Sequence, residues 1–165
     1  MELFILRHAI AVPRGTPGYD EDSERPLTSE GRKKLRRIAK TMAKMELSFD
    51  LILSSPYVRA RDTAEIAAKI LGARKKLKFS DHLVSHGSAE ALVNQLKSHY
   101  HSQRYVLLVG HEPYLSKLIS VLLTGEPDLS LTLKKGGLCK LTVEKLRYGR
   151  CATLEWLLAP RQMGA

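Results

Sequence analysis

Short apolar runs alternate with helix-period stripes along this chain. Leu3-Phe4-Ile5-Leu6 opens it with four consecutive apolar residues and predicts a buried strand. Further strands are predicted at Leu51–Leu53, Leu77–Phe79 and Tyr105–Val109. Two more, at about Leu138–Val143 and Thr153–Leu158, are spaced to pair as a hairpin. Between these runs the period changes. Leu35, Ile38, Met42 and Met45 recur every three or four residues and mark one helix face, with Thr28 as its N-cap. Ala60, Ala64, Ala67 and Ile70 mark a helix from about Tyr57 to Leu71. Ala89, Leu92 and Leu96 mark a helix over residues 88–98, and Leu115, Leu118, Ile119 and Leu122 another. Strands that alternate with helices in this way predict an α/β layer fold.

One stretch breaks the rhythm. Residues 9–27 hold Pro13, Gly15, Pro17, Gly18 and Pro26 and read as a long polar loop, beyond the usual connection length. At 165 residues the chain predicts one domain that needs no metal or disulfide staple. Its two cysteines, Cys139 and Cys151, form no disulfide framework and no metal-ligand spacing; Cys139 reads as a buried free thiol. No apolar run approaches the length of a membrane-spanning helix. The segment Met1–Arg7 lacks the features of a signal peptide, so a cytoplasmic location is expected.

Charge narrows the ligand. Lys+Arg total 27 against 17 Asp+Glu, a formal balance of +10. Such a field attracts phosphate groups, acidic proteins, nucleic acid or acidic lipid without choosing among them. The basic residues of the first helix, Arg32 to Lys44, read as a solvated face, because no aromatic residues interleave for base stacking. Neither nucleic acid nor membrane is an expected partner.

Three polar clusters directly follow predicted strands: Arg7-His8, Ser54-Ser55-Pro56 with Arg59 just beyond, and Gly110-His111-Glu112. In an open α/β sheet the carboxyl ends of the strands converge on one edge, where ligands bind. Two arginines and two histidines with no paired acid would form a cationic pocket suited to a phosphoryl group. Arginine grips phosphate oxygens with two parallel hydrogen bonds. A neutral imidazole can attack phosphorus, and a second can stabilise the transferring oxygens. Spacing alone leaves open which histidine attacks. No Walker loop, zinc spacing or nucleophile elbow occurs, so no metal or cofactor is called for. Arg25 is a candidate to reach the pocket from the long loop, and Lys134 and Lys135 belong to a basic loop that could guide an acidic partner.

The same residues carry a resemblance. Arg7-His8-Ala9, the segment Arg25-Pro26-Leu27-Thr28-Ser29-Glu30-Gly31, the stretch Ser54 to Ala64 and Val109-Gly110-His111-Glu112-Pro113 resemble, in order, the motifs of the histidine phosphatase superfamily. The short length and Lys135-Gly136-Gly137 look most like the small SixA-type phosphohistidine phosphatases. The resemblance implies a three-layer α/β/α sandwich with a mixed, mainly parallel sheet. It implies that His8 is the nucleophile and becomes phosphorylated, and that Arg7, Arg59 and His111 form the phosphate pocket.

Two residues depart from the pattern. Ala9 stands where the family commonly has glycine, and Asp62 where glutamine is frequent. The general acid of larger relatives has no clear counterpart; Asp81, His86 and Glu90 are the candidates. A missing acid favours a leaving group that departs without much help. The expected substrate is therefore phosphohistidine on a protein. The alternatives are a small phosphorylated molecule, or a module that binds phosphate or a phosphoprotein without turnover. A mutase is disfavoured, because no insertion is long enough to cap the site.

Overall fold

The computed structural model describes all 165 residues. Six strands, β1 (Glu2–Arg7), β2 (Leu51–Ser54), β3 (Leu77–Phe79), β4 (Tyr105–Gly110), β5 (Leu138–Val143) and β6 (Ala152–Leu158), form one sheet in the order β3-β2-β4-β1-β5-β6. The first four pair in parallel; β5 runs antiparallel to β1, and β6 antiparallel to β5. The expected hairpin is therefore the β5–β6 pair. Four helices, α1 (Ser29–Lys44), α2 (Val58–Ile70), α3 (Ala89–His99) and α4 (Tyr114–Thr124), connect the strands. None is long and apolar enough to cross a membrane.

The unbroken apolar runs reflect burial on both faces of the sheet. Leu3, Ile5, Leu51, Leu53, Val106 and Leu108 point to one side, where they pack with Leu92, Val93 and Leu96 of α3 and Leu115, Leu118 and Ile119 of α4. Phe4, Leu6, Ile52, Leu107 and Val109 point to the other, against Leu35, Ile38 and Met42 of α1 and Ala60, Ala64 and Ala68 of α2. The result is the three-layer α/β/α sandwich. The alanine stripe of α2 lets that helix lie close to the sheet, which sets the depth at which its first turn enters the site. Thr28 caps α1 as expected, its hydroxyl accepting from Gly31 N–H at 2.9 Å.

The long loop is anchored at its stem. Ala11 bridges to Leu27, Val12 N–H donates to Pro26 O at 2.9 Å, and Thr28 N–H donates to Ile10 O at 3.0 Å. Gly31 makes this approach feasible: a β-carbon there would lie 2.1 Å from the Ile10 carbonyl oxygen. Beyond the stem the loop folds over the carboxyl edge of the sheet and forms a short 3-10 turn at Asp22–Glu24.

Candidate active site

The parallel order β2-β4-β1 sets three strand ends side by side, and the ladder continues one residue past β1 and β2. His8 N–H donates to Gly110 O at 3.0 Å, and Ser55 N–H to Val109 O at 2.9 Å. Sequence-distant clusters thus become neighbours: the rings of His8 and His111 lie 5.2 Å apart. The loop before β5 closes the far side. Gly136, at φ +79, donates its N–H to the carbonyl of Arg7 at 3.0 Å.

The buried His8 ring is fixed at both nitrogens. Its Nδ1 lies 2.7 Å from the Ala9 carbonyl, which can only accept, so Nδ1 carries the proton. Nε2 keeps its lone pair and accepts from Arg59 Nε at 3.3 Å. Burial lowers the His8 pKa to about 3; the bond to Ala9 opposes this, and the charges of Arg59, Arg7 and Lys135 reinforce it. The imidazole is neutral at ordinary pH.

His111 is fixed through Ser55. Its Nε2 lies 2.8 Å from the Ser55 hydroxyl, which also accepts from Tyr57 N–H at 3.3 Å. The arrangement that uses every partner has the hydroxyl donate to Nε2 and leaves the proton on Nδ1. That nitrogen is buried with no protein partner, as is Arg7 Nε. Arg7 is held instead through Nη1, which donates to Leu133 O at 2.9 Å. Two buried donors without acceptors are what an oxyanion would satisfy. Burial lowers the His111 pKa to about 2, aided by His8 and Arg59. The Tyr57 ring lies 5.1 Å from that of His111 and under the Arg59 guanidinium.

The arginines correct one expectation, for the cluster does contain an acid. Arg59, only 2% exposed at its side chain, donates through Nη2 to Asp22 Oδ2 at 2.7 Å and through Nη1 to the Asp22 carbonyl. Arg25 donates to Asp22 Oδ1 through Nη2 at 2.8 Å and Nε at 3.0 Å, and Arg14 Nε reaches the same oxygen at 3.0 Å. Burial pushes the Asp22 carboxyl upward, but the hydrogen bonds from Arg59 and Arg25 outweigh it and hold it well below the usual carboxylate range. Sequence reading missed Asp22 because it sits in an acidic stretch, Asp20 to Glu24, in which no periodicity singles out one member.

Arg7, His8, Arg25, Arg59, His111 and Lys135 line a cavity of about 310 Å³, and Asp22 and Tyr57 line an adjoining one. The family model described as Histidine phosphatase superfamily (branch 1) matches residues 3–84. An uncharacterized protein of Picosynechococcus is 36% identical over 143 residues, covering 86% of this chain and 84% of that one. The phosphohistidine phosphatase SixA of Escherichia coli is 25% identical over 97% of this chain and 94% of its own. The chain belongs to the histidine phosphatase superfamily. It is SixA-like, and the superfamily makes it a phosphatase of the hydrolase class. A solved SixA complexed with tungstate shares the fold at a TM-score of 0.83 with 24% identity, each chain covered to 99%. So does a phosphoserine phosphatase of Entamoeba histolytica, at 0.72 with 17% identity, covering 97% of this chain and 98% of that one.

The remaining expectations about this histidine phosphatase divide. Arg25 does reach the cavity, as does Lys135, while Lys134 is exposed outside it. Of the three acid candidates, His86 lines an adjoining cavity of about 470 Å³, together with Arg14, Arg25, Tyr57 and Ser85. Asp81 and Glu90 are exposed and line neither cavity. Ala9 causes no strain, since its φ is not positive; its N–H donates to the Thr63 hydroxyl at 3.1 Å, tying the turn after His8 to α2. Asp62 pairs with Arg32 and joins α2 to α1. The thiol of Cys139 is buried, its pKa pushed up to about 12.

Proposed function

We infer that this phosphatase works through a phosphohistidine intermediate on His8 and acts in the cytoplasm on N-linked phosphoryl groups, phosphohistidine of a protein first among them. The reading rests on the tautomer of His8: a neutral ring with its proton tied to Ala9 and its Nε2 lone pair beside the Arg59 guanidinium. In the first step Nε2 attacks phosphorus in line with the leaving nitrogen. Arg7 and Arg59 hold the non-bridging oxygens, and His111 donates Nδ1–H to the charge that develops on them. Arg25 adds to the anion-binding field. The P–N bond breaks, and the departing imidazole takes its proton from solvent. Water then attacks phospho-His8, which releases inorganic phosphate and restores the ring.

The choice of a P–N bond rests on the acid side of the reaction. An alkoxide leaving group gains much from a positioned proton donor, whereas an imidazole departs readily once solvent protonates it. Asp81 and Glu90 stand away from the cavity, and Glu112 on its rim is engaged by the N–H and hydroxyl of Ser116. Turnover of a phosphohistidine protein is therefore expected to exceed that of a small alkyl phosphate. The reverse preference would assign the chain to small phosphomonoesters, the substrate type of the phosphoserine phosphatase that shares its fold. Rapid quench of the wild type is expected to trap acid-labile phosphate, and His8→Ala to abolish both the trapped phosphate and turnover.

A further inference from the structure

The arginine fork assigned to the phosphoryl group is already engaged by Asp22, one arm on a carboxylate oxygen and the other on the backbone carbonyl. Each of the three nitrogens of the Arg59 guanidinium is in a hydrogen bond, one to His8 and two to Asp22. Arg25 spends Nε and Nη2 on Asp22 Oδ1, and its Nη1 on Val12 O at 2.6 Å. Asp22 thus collects donors from three arginines through two oxygens, the way an arginine cluster grips an anion. It leaves His111 Nδ1 and Arg7 Nε without partners. The mismatch is one of valence. A planar carboxylate has two oxygens, and these are spent on Arg59, Arg25 and Arg14. A tetrahedral phosphoryl group presents three non-bridging oxygens and a second negative charge, enough to engage the fork and the two buried donors together.

The mounting of Asp22 allows exchange. Its side chain is 34% exposed and sits on the short turn of the 9–27 loop. The loop stem is pinned at Ala11–Leu27, while Gly15 and Gly18, with φ of +77 and +87, lie between stem and turn. Glycine at positive φ moves through conformations closed to other residues.

We propose that Asp22 is a specificity-determining residue: its carboxylate holds the oxyanion position on Arg59 and Arg25 and yields it only to an anion that outcompetes it, a tetrahedral di-anion such as a phosphoryl group. The proposal rests on the reading of Arg59 as a phosphoryl holder. Wild-type protein, in which carboxylate meets carboxylate on equal terms, rejects acetate and other mono-anions. Removing the charge of Asp22 relaxes that filter.

Calorimetric titration with inorganic phosphate, tungstate and acetate tests this on the wild type, Asp22→Asn and Glu24→Gln. Glu24 is exposed on the same turn, carries the same charge and pairs with no arginine. Asp22→Asn is expected to bind phosphate about tenfold more tightly or better, as the loss of one competing charge-assisted contact implies, and to acquire affinity for acetate. Glu24→Gln is expected to stay within about twofold of the wild type, because an exposed charge is screened. Phosphate affinity that is unchanged or weakened in Asp22→Asn would overturn the proposal and make Asp22 a strut for the arginines. An equal gain in Glu24→Gln would also overturn it, as a bulk charge effect. A wild type and a variant that both ignore phosphate and tungstate would instead overturn the phosphoryl reading of the pocket. Independently of any variant, the Asp22 side-chain carbon resonance of the wild type is expected to shift on saturation with tungstate as the carboxylate leaves the arginines; a resonance that stays in place with tungstate bound overturns the proposal.

Discussion

Nδ1 of His8 faces the carbonyl oxygen of Ala9 at 2.7 Å, and this one contact decides which ring nitrogen keeps its lone pair. A carbonyl has no proton to give, so the ring must supply it. The phosphoryl group trapped on His8 is therefore expected on Nε2. Nitrogen–phosphorus coupling in the quenched, labelled protein reads this directly; phosphate on Nδ1 would contradict the proposed line of attack.

Acid should destabilise the fold over a defined window. His8 is held at about 3 against the ordinary 6.5, so between these values the unfolded chain binds a proton that the folded chain refuses. Stability therefore declines as pH falls from about 6.5 toward about 3. His111, lowered to about 2, acts in the same direction. Asp22 loses its contribution further down, as pH falls below the usual aspartate value of about 3.9 and the unfolded chain takes a proton that the folded carboxylate still refuses. Melting curves across this range are expected to show the decline, and His8→Gln to flatten part of it. Ring resonances of His8 should remain those of a neutral imidazole at pH 5.

On the proposed mechanism Ser55 is a positioning residue that acts on charge stabilisation through His111. Removing its hydroxyl leaves His111 Nε2 free to take the proton, so Nδ1 loses its donor role in part of the population. Ser55→Ala is expected to lower kcat by about tenfold to a hundredfold, since one aimed donor is lost. KM should hardly change. Nitrogen resonances of His111 separate this from a packing defect: the variant should show a mixture of tautomers where the wild type shows one.

Much of this was legible in the chain. Strands buried on both faces leave unbroken apolar runs, so Leu3–Leu6 and Tyr105–Val109 stand out. Their carboxyl ends announced Arg7, His8 and His111, because parallel order carries strand ends to one edge. Arg59 lies in the first turn of α2, where the helix dipole disfavours a cation. The structure supplies its compensation in Asp22. Asp22 itself was not legible, for a loop contact depends on how the chain turns back, not on a period. Ser55 was hidden for another reason. It reads as the turn after β2, and only the rung from Ser55 to Val109 brings its hydroxyl to His111.

Gly31 offers a test of how the loop stem supports the site. A methyl group there would meet the Ile10 carbonyl, a backbone atom with little room to retreat. Gly31→Ala is expected to destabilise the fold by about 2 kcal/mol or more, in the range of steric overpacking. It should also weaken phosphate binding, because the displaced segment carries Arg25. Thermal melts and phosphate titration of the same sample check both.

The rung from His8 to Gly110 makes the His8 imidazole the last step of a staircase whose lower treads are the sheet's own interior. A change in side-chain bulk beneath it, at Leu6 or Val109 for example, is expected to tilt the top step. Kinetic defects in this enzyme can thus originate in greasy residues that no substrate ever meets.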